Sequence, residues 1–407
     1  MNNELFDKRC KNIIDATNFV EPEKVPVGLD YMTWAYAIGG KTLEDVIDDP
    51  EENIKEFTKI FDEIEFDFSS NLGTYIPYDA YQALDSTGYS LCPDKCSVQH
   101  NQASTKFMSE EEYQILIDDP GYFMNEYFIK KNAAIFKLPR EEAYAKLKEG
   151  AKKIAKNVYV TNEIERIGIQ EHSIVPLLKF GPPAKQPLGE YYGISSPSYY
   201  ATIDNLFDTY RGMMGVFEDL AENMETLDKA CEAISAFNEK TMPKFPPQAD
   251  TRPLPFGGCL YHVAGFLSPE LYDKYWFNDF KKTVMPYIEA GKKINIKGEA
   301  SFIHTIERFK DMPKGSIVIA LDSDDPFEAY EKIGGYQTLM MGIKTAMLST
   351  CDLQTCKDYI KKSFDTFAPG GGFMFYMDKP LFSPWDAPVE KVKELWHFAN
   401  EYSYGKS

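Results

Sequence analysis

"INIKGEASF", residues 294–302, follows a helical pattern that ends in "MPYIEAGKK", and a run of similar shape, "IVIALDSDD" (317–325), comes soon after it. Both are short apolar segments that end in charge. Strands buried on both faces of a parallel sheet read as near-continuous apolar runs. The two segments therefore predict neighbouring strands whose ends gather Lys297, Glu299, Asp322 and Asp324. Outward from this pair the pattern repeats. "GCLYHVAGF" (258–266), "YQTLMMGIK" (336–344) and "GGFMFYM" (371–377) are further strands. Helical stretches separate them: "SPELYDKYWFNDFKKTVMPYIEAG", with Ser268 as N-cap, then "PFEAYEKIGG", "DLQTCKDYIKKSFDTF" and "PVEKVKELWHFANEY". Strand–helix alternation predicts parallel strands with crossover helices. Short apolar strands separated by helices favour a closed (β/α)8 barrel over a doubly wound sheet, which would want a G-x-G-x-x-G first turn.

The first half is less regular. Residues 1–23 read as a helix, "VPVGLDYMTWAYAIGG" (25–40) as a strand entering an aromatic loop, and "EFDFSSNLG" (65–73) as a short buried strand. Residues 176–200 concentrate proline, glycine and tyrosine. They predict an ordered loop over or beside the barrel mouth, because tyrosines need surface to pack on. The expectation is one domain over 1–407, with helical and loop insertions in its N-terminal half.

The chain has 407 residues, with 43% hydrophobic and 14% aromatic, so a large core is affordable. The net charge of −19, from 63 acidic and 44 basic residues, argues against nucleic acid and anionic membranes as partners. No apolar run is long enough to span a bilayer and no secretory h-region is present. Seven scattered cysteines suit a reducing cytoplasm better than a disulfide scaffold.

Reacting groups in such a barrel stand at the C-terminal ends of the strands. That rule gives a ring of candidates: Tyr31, Trp34, Asn71, His262, Lys297, Glu299, Asp322, Asp324, Lys344 and Tyr376. Each has a bland reading as a polar strand end, and Lys297 with Asp322 could be a cross-strand ion pair. His262 could equally be a core histidine bonded to a backbone carbonyl. "CPDKCSVQH" spaces Cys92, Cys96 and His100 by four, but Pro93 weakens a helix there and an ordinary loop is favoured over a metal site. "APGGGF" lacks the Lys-Ser/Thr of a phosphate loop, so its glycines predict a tight helix-to-strand turn.

Four stretches carry a resemblance: "KRCKNIIDATNFVEPEKVPVGLDYM", "TIDNLFDTYRGMMGVFEDLAENMETLDKACEAI", "KGSIVIALDSDDPFEAYEKIGG" and "APGGGFMFYMDKPLFSPWDAPVEKVKELWHFANEYSYG". Together they resemble the uroporphyrinogen decarboxylase superfamily. The resemblance implies a (β/α)8 barrel with its site at the C-terminal mouth. The decarboxylases of that family carry an arginine-rich R-Q-A-G-R-Y loop for a polycarboxylate. The matching stretch here has no arginine and offers Tyr31, Trp34 and Tyr36, an aromatic wall suited to a flat, weakly charged substrate. The other branch comprises corrinoid-dependent methyltransferases. Its thiol-methylating members hold zinc through His-x-Cys and a later cysteine, positions taken here by Lys297, Glu299 and a residue near Gly371. Members similar to the methyl-donor-cleaving components of O-demethylase systems keep a glutamate at the place of Glu299, and "EASFIHTIERFKDMPKG" fits their spacing.

The resemblance thus implies a methyltransferase that moves a methyl group from a small O-methyl compound, such as a methoxylated aromatic, to Co(I) of a separate corrinoid protein. Glu299, Lys297, Asp322 and Asp324 would be catalytic. Tyr31, Trp34, Asn71, Tyr376 and Lys344 would bind the substrate. Should a metal be held, Glu299 and His262 are the expected ligands, and a mixed oxygen and nitrogen set admits zinc. A homodimer would be common for this fold. The alternatives are a decarboxylase of a tetrapyrrole or related carboxylate and a non-catalytic relative that binds a small molecule.

Overall fold

The apolar runs after residue 255 become the strands of one parallel sheet in a computed structural model, which describes residues 3–70, 72, 76–86, 88–101, 107–178, 198–241, 254 and 256–404. In chain order the strands are β1 (Phe68–Ser69), β2 (Tyr89–Leu91), β3 (Val98–His100), β4 (Val175–Pro176) and β5 (Ser198–Tyr199). They continue as β6 (Phe256–Tyr261), β7 (Lys293–Gly298), β8 (Ile317–Ala320), β9 (Thr338–Ile343) and β10 (Phe373–Met377). The main sheet runs β10-β9-β8-β7-β6-β5, with every pairing parallel. Burial on both faces of β8, β9 and β10 explains why these strands read as unbroken apolar runs rather than alternating ones.

The N-terminal segments extend this sheet by single bridges. Val27 bridges Phe375 of β10, Gly28 bridges Phe68 of β1, and β1 pairs with β4, again all in parallel. The result is an arc in which the segment around Val27 joins β10 on one side to β1 and β4 on the other. No pairing joins β4 to β5 among the described residues, so the expected closed (β/α)8 ring is not shown. What stands is a mixed α/β fold with an open parallel arc. The predicted loop 176–200 falls largely on residues 179–197, outside the described residues.

Local chemistry sets the joints. Ser268 accepts from the Leu271 amide as the expected N-cap, with Pro269 in the first turn. Asp325 and Asp352 cap the helices Pro326–Ile333 and Leu353–Phe367 in the same way. Gly370, Gly371 and Gly372 all have φ between 75° and 81°, so the triple glycine makes the helix-to-strand turn into β10, a conformation that other residues pay to adopt. "CPDKCSVQH" lies in the turn and second strand of the antiparallel β2–β3 hairpin. All seven cysteines are free. Among the described residues no helix is long and apolar enough to cross a membrane.

At the N-terminal end of the strands a buried polar knot ties the arc together. Asp67 Oδ1 accepts from Arg9 Nε at 3.0 Å and from Lys24 Nζ at 2.8 Å, while Oδ2 accepts from the Val27 amide at 2.9 Å. Lys24 Nζ also donates to Asn400 Oδ1 at 2.7 Å, which brings the first and last helices of the chain to the same point.

Candidate active site

Parallel strands put their C-terminal ends on one face, and the main cavity opens there. It has a volume of about 630 Å³ and is lined by Lys297, Gly298 and Glu299 after β7, Asp322 after β8, Thr345 after β9, and Asp378, Lys379 and Pro380 after β10. Met32, Thr33, Ile76, Val98, Phe382 and Asp386 complete the wall. The period of two in a strand places Lys297 and Glu299 on the same side, and both face this cavity.

Lys297 does not pair with Asp322. Its Nζ lies 3.3 Å from Asp30 Oδ2, and Asp322 Oδ1 instead accepts from Lys379 at 2.6 Å. The Lys297 side chain is 31% exposed and Asp30 is buried. Burial opposes the lysine's charge, but Asp30, with Glu299 and Asp322 further off, outweighs it and holds the ammonium above the ordinary lysine range. Lys297 is therefore a fixed positive charge at neutral pH. The exposed Glu299 carboxylate accepts no hydrogen bond among the described residues. Asp378 is tied to the Thr345 amide at 2.7 Å, and Asp386 to the amides of Phe382 and Ser383.

Beside the cavity stands a second polar group. Glu299 N donates to Tyr261 O, so the next residue of the neighbouring strand, His262, lies across from Glu299 at the same mouth. His262 Nδ1 is 2.6 Å from Asp208 Oδ1, and the Tyr200 hydroxyl donates to Asp208 Oδ2. Asp204, one helical turn before Asp208, accepts from the Val263 amide at 2.8 Å and from Trp276 Nε1 at 3.2 Å. The hydrogen bond to Asp208 raises the His262 imidazole above its ordinary value against the opposing effect of burial, and the charges of Asp208, Glu299 and Asp204 add to the rise. Burial pushes the Asp204 carboxyl up to about 7.

The other expected site residues fall elsewhere. Tyr31 is fully buried among Phe57, Phe61 and Phe66. Trp34 is buried with its indole N–H on the Ala387 carbonyl at 2.9 Å. Tyr376 stacks on Phe68, with its hydroxyl 2.7 Å from Ser70 Oγ. These three form core, so the expected aromatic wall is corrected: Phe382 is the one aromatic among the lining residues. For Trp34 the cause is the 3-10 helix Thr33–Gly39, which turns its indole inward. Asp324 accepts from Ser301 Oγ and the Phe302 amide, holding the loop after Glu299 rather than facing the cavity. Lys344 is the N-cap residue of the helix Thr345–Thr350, and the next residue, Thr345, is the one at the wall. Asn71 lies outside the described residues.

Since Trp34 belongs to the core, Trp34→Phe is expected to cost about 1–3 kcal/mol of stability by leaving the Ala387 carbonyl unpaired. Substrate KM should not move. Urea unfolding measured beside steady-state kinetics checks both, and unchanged stability with a raised KM would return this residue to a binding role.

Zinc fits poorly. Among the described residues no group of three or more His, Cys, Asp and Glu side chains is arranged to hold a metal ion, and His262 Nδ1 is already engaged by Asp208. Glu299 and His262 would supply two ligands where zinc sites use three or four from protein.

No family model matches the sequence, and no curated protein matches it. The structure is more informative. It superposes on a methyltransferase from Methanosarcina mazei with a TM-score of 0.53, covering 97% of this chain and 98% of the other. The two folds are similar. At 12% sequence identity the likeness concerns the fold alone, and it extends over nearly the full length of both chains.

Proposed function

We propose that this chain is a methyltransferase of the corrinoid-dependent branch of the uroporphyrinogen decarboxylase superfamily, with its arc closing into a single (β/α)8 barrel domain over 1–407. It would take a methyl group from a small O-methyl compound, a methoxylated aromatic being the leading class, and pass it to a separate corrinoid protein. The observation that carries this reading is the fixed ammonium of Lys297 beside Glu299 in a half-open cavity at the strand ends. A volume of about 630 Å³ falls within the roughly 300–1,000 Å³ of small-molecule sites.

The cavity's charge disfavours the decarboxylase alternative. Both lining lysines are already paired with carboxylates, Lys297 with Asp30 and Lys379 with Asp322. Glu299, Asp378 and Asp386 add further negative charge to the wall. A polycarboxylate would meet like charge and no unpaired lining cation.

A corrinoid carried by the partner would supply the nucleophile. This chain's own task is to make the donor oxygen a good leaving group. Charge builds on that oxygen as its bond to the methyl carbon breaks, and a preorganised ammonium beside it stabilises that charge. Lys297 is placed for that role, and Met32, Ile76, Val98 and Phe382 give the cavity an apolar wall on which a flat donor can lie.

The test is an anaerobic assay with a panel of methoxylated aromatics, a reduced corrinoid protein and the purified chain, following phenol release and the corrinoid spectrum together. Stoichiometric phenol and methylated acceptor are expected. No transfer from any donor to a demonstrably reduced acceptor would sink the reading.

A further inference from the structure

We infer that His262, positioned by Asp208 and Tyr200, is the residue that delivers a proton to the leaving oxygen at this mouth. The inference rests on the methyl-transfer reading and assigns the acid that reading leaves open. Lys297 serves poorly as that acid, because Asp30 holds its proton in place. An efficient acid has a pKa near the working pH, and of the polar side chains at this mouth the imidazole is the one with an ordinary value there.

The geometry is that of an oriented histidine. Nδ1, 2.6 Å from Asp208 Oδ1, donates its proton to that carboxylate, which leaves Nε2 as the exchanging atom. Phe207 packs edge-on to the ring with centroids 5.1 Å apart, and Asp204 anchors the backbone amide of the following residue, Val263. The charged and titratable groups around the ring come from two places: Tyr200, Asp204 and Asp208 from the segment after β5, and Glu299 just after β7. The three carboxyl groups put the ring in a negative field that favours its protonated form, and the neutral Tyr200 hydroxyl holds Asp208 in place. Glu299 belongs both to that field and to the cavity wall, and so joins the two groups at the mouth.

The step balances. The bond between methyl carbon and oxygen breaks with its electron pair left on oxygen, and the methyl passes to the nucleophile on the partner. The oxygen takes the proton from His262 Nε2. The neutral imidazole keeps its Nδ1 proton, donated in the hydrogen bond to Asp208, and Nε2 then recovers a proton from solvent. Lys297 stabilises the charge during the step and keeps its own proton.

The test compares two donors, an ordinary methoxylated phenol and a nitrophenyl methyl ether whose leaving group needs no proton. His262→Gln should lower kcat on the ordinary donor by 10²-fold to 10⁴-fold, an order-of-magnitude range for general acids, and lower it less than tenfold on the activated one. Asp208→Asn should show the same selectivity in smaller measure. Equal losses on both donors in both variants would overturn the inference, since a merely structural role harms both alike. A readout independent of turnover is the NMR titration of the His262 ring in the unliganded protein. Its midpoint should lie above the ordinary histidine value and fall in Asp208→Asn, and an unperturbed midpoint would also overturn the inference. A wild type that transfers no methyl at all would instead defeat the functional reading.

Discussion

Asp67→Ala is expected to lower the unfolding free energy by about 3–5 kcal/mol, the range for breaking one side of a buried ion pair. The carboxylate is 4% exposed and faces two cations that are nearly as buried, Arg9 at 7% and Lys24 at 5%. Removing it leaves both charges in a low-dielectric interior. Glu65, 3.9 Å from Arg9 and 4.0 Å from Lys24, is 61% exposed and replaces little of the lost interaction. The Val27 amide loses its acceptor as well. Asp67→Asn keeps the shape and the amide contact and should lose less. Urea denaturation with a constant m-value measures the difference; a loss below about 1 kcal/mol for the alanine variant would show that the knot contributes little.

Lys297→Met should lower kcat on an ordinary methyl ether by roughly 10²-fold to 10³-fold, the cost of removing one preorganised group that meets developing negative charge. Binding should suffer less, because the oxygen gains charge only as its bond breaks. The substitution also strands Asp30, which is buried, and stability should fall with it. The double variant Lys297→Met with Asp30→Asn separates the two effects: it should recover the stability and not the rate. Recovery of both would mean that Lys297 acts only through Asp30.

The sequence spoke most clearly where burial is two-sided. β8, β9 and β10 were legible as apolar runs because neither face meets water. The rule that strand ends carry the chemistry then led to Lys297, Glu299 and Asp322, all on the cavity wall. It stopped one step short at β10, where Asp378 and Lys379 follow directly after "FMFYM" and line the same wall. The N-terminal segments were harder, since β1 and β4 are two residues each and the stretch around Val27 is held by single bridges. Such pieces carry no periodicity. Tyr31 and Trp34 were misplaced because an aromatic near a strand end reads alike as pocket wall or core, and for Trp34 only the turn at Thr33–Gly39 decides. The partnership of His262 with Asp208 and Tyr200 had no signal in the sequence, as it is made between separate elements. Asp30, by contrast, stood next to Tyr31 in plain view.

The seam between the first and last segments governs how the chain can be assembled. The Gly28 amide reaches the Phe375 carbonyl at 2.9 Å, and the Gly28 carbonyl receives the Trp396 indole at 3.0 Å. A ribosome makes Val25 and Val27 long before Ser403 and Phe375, whose backbones they meet. Until β10 and the helix Val389–Tyr402 are made, one side of this apolar segment stays uncovered, a circumstance in which nascent chains aggregate or are held by chaperones. Loss of the helix Val389–Tyr402 would uncover residues 25–29 as well, so these two distant segments stand or fall together during biogenesis.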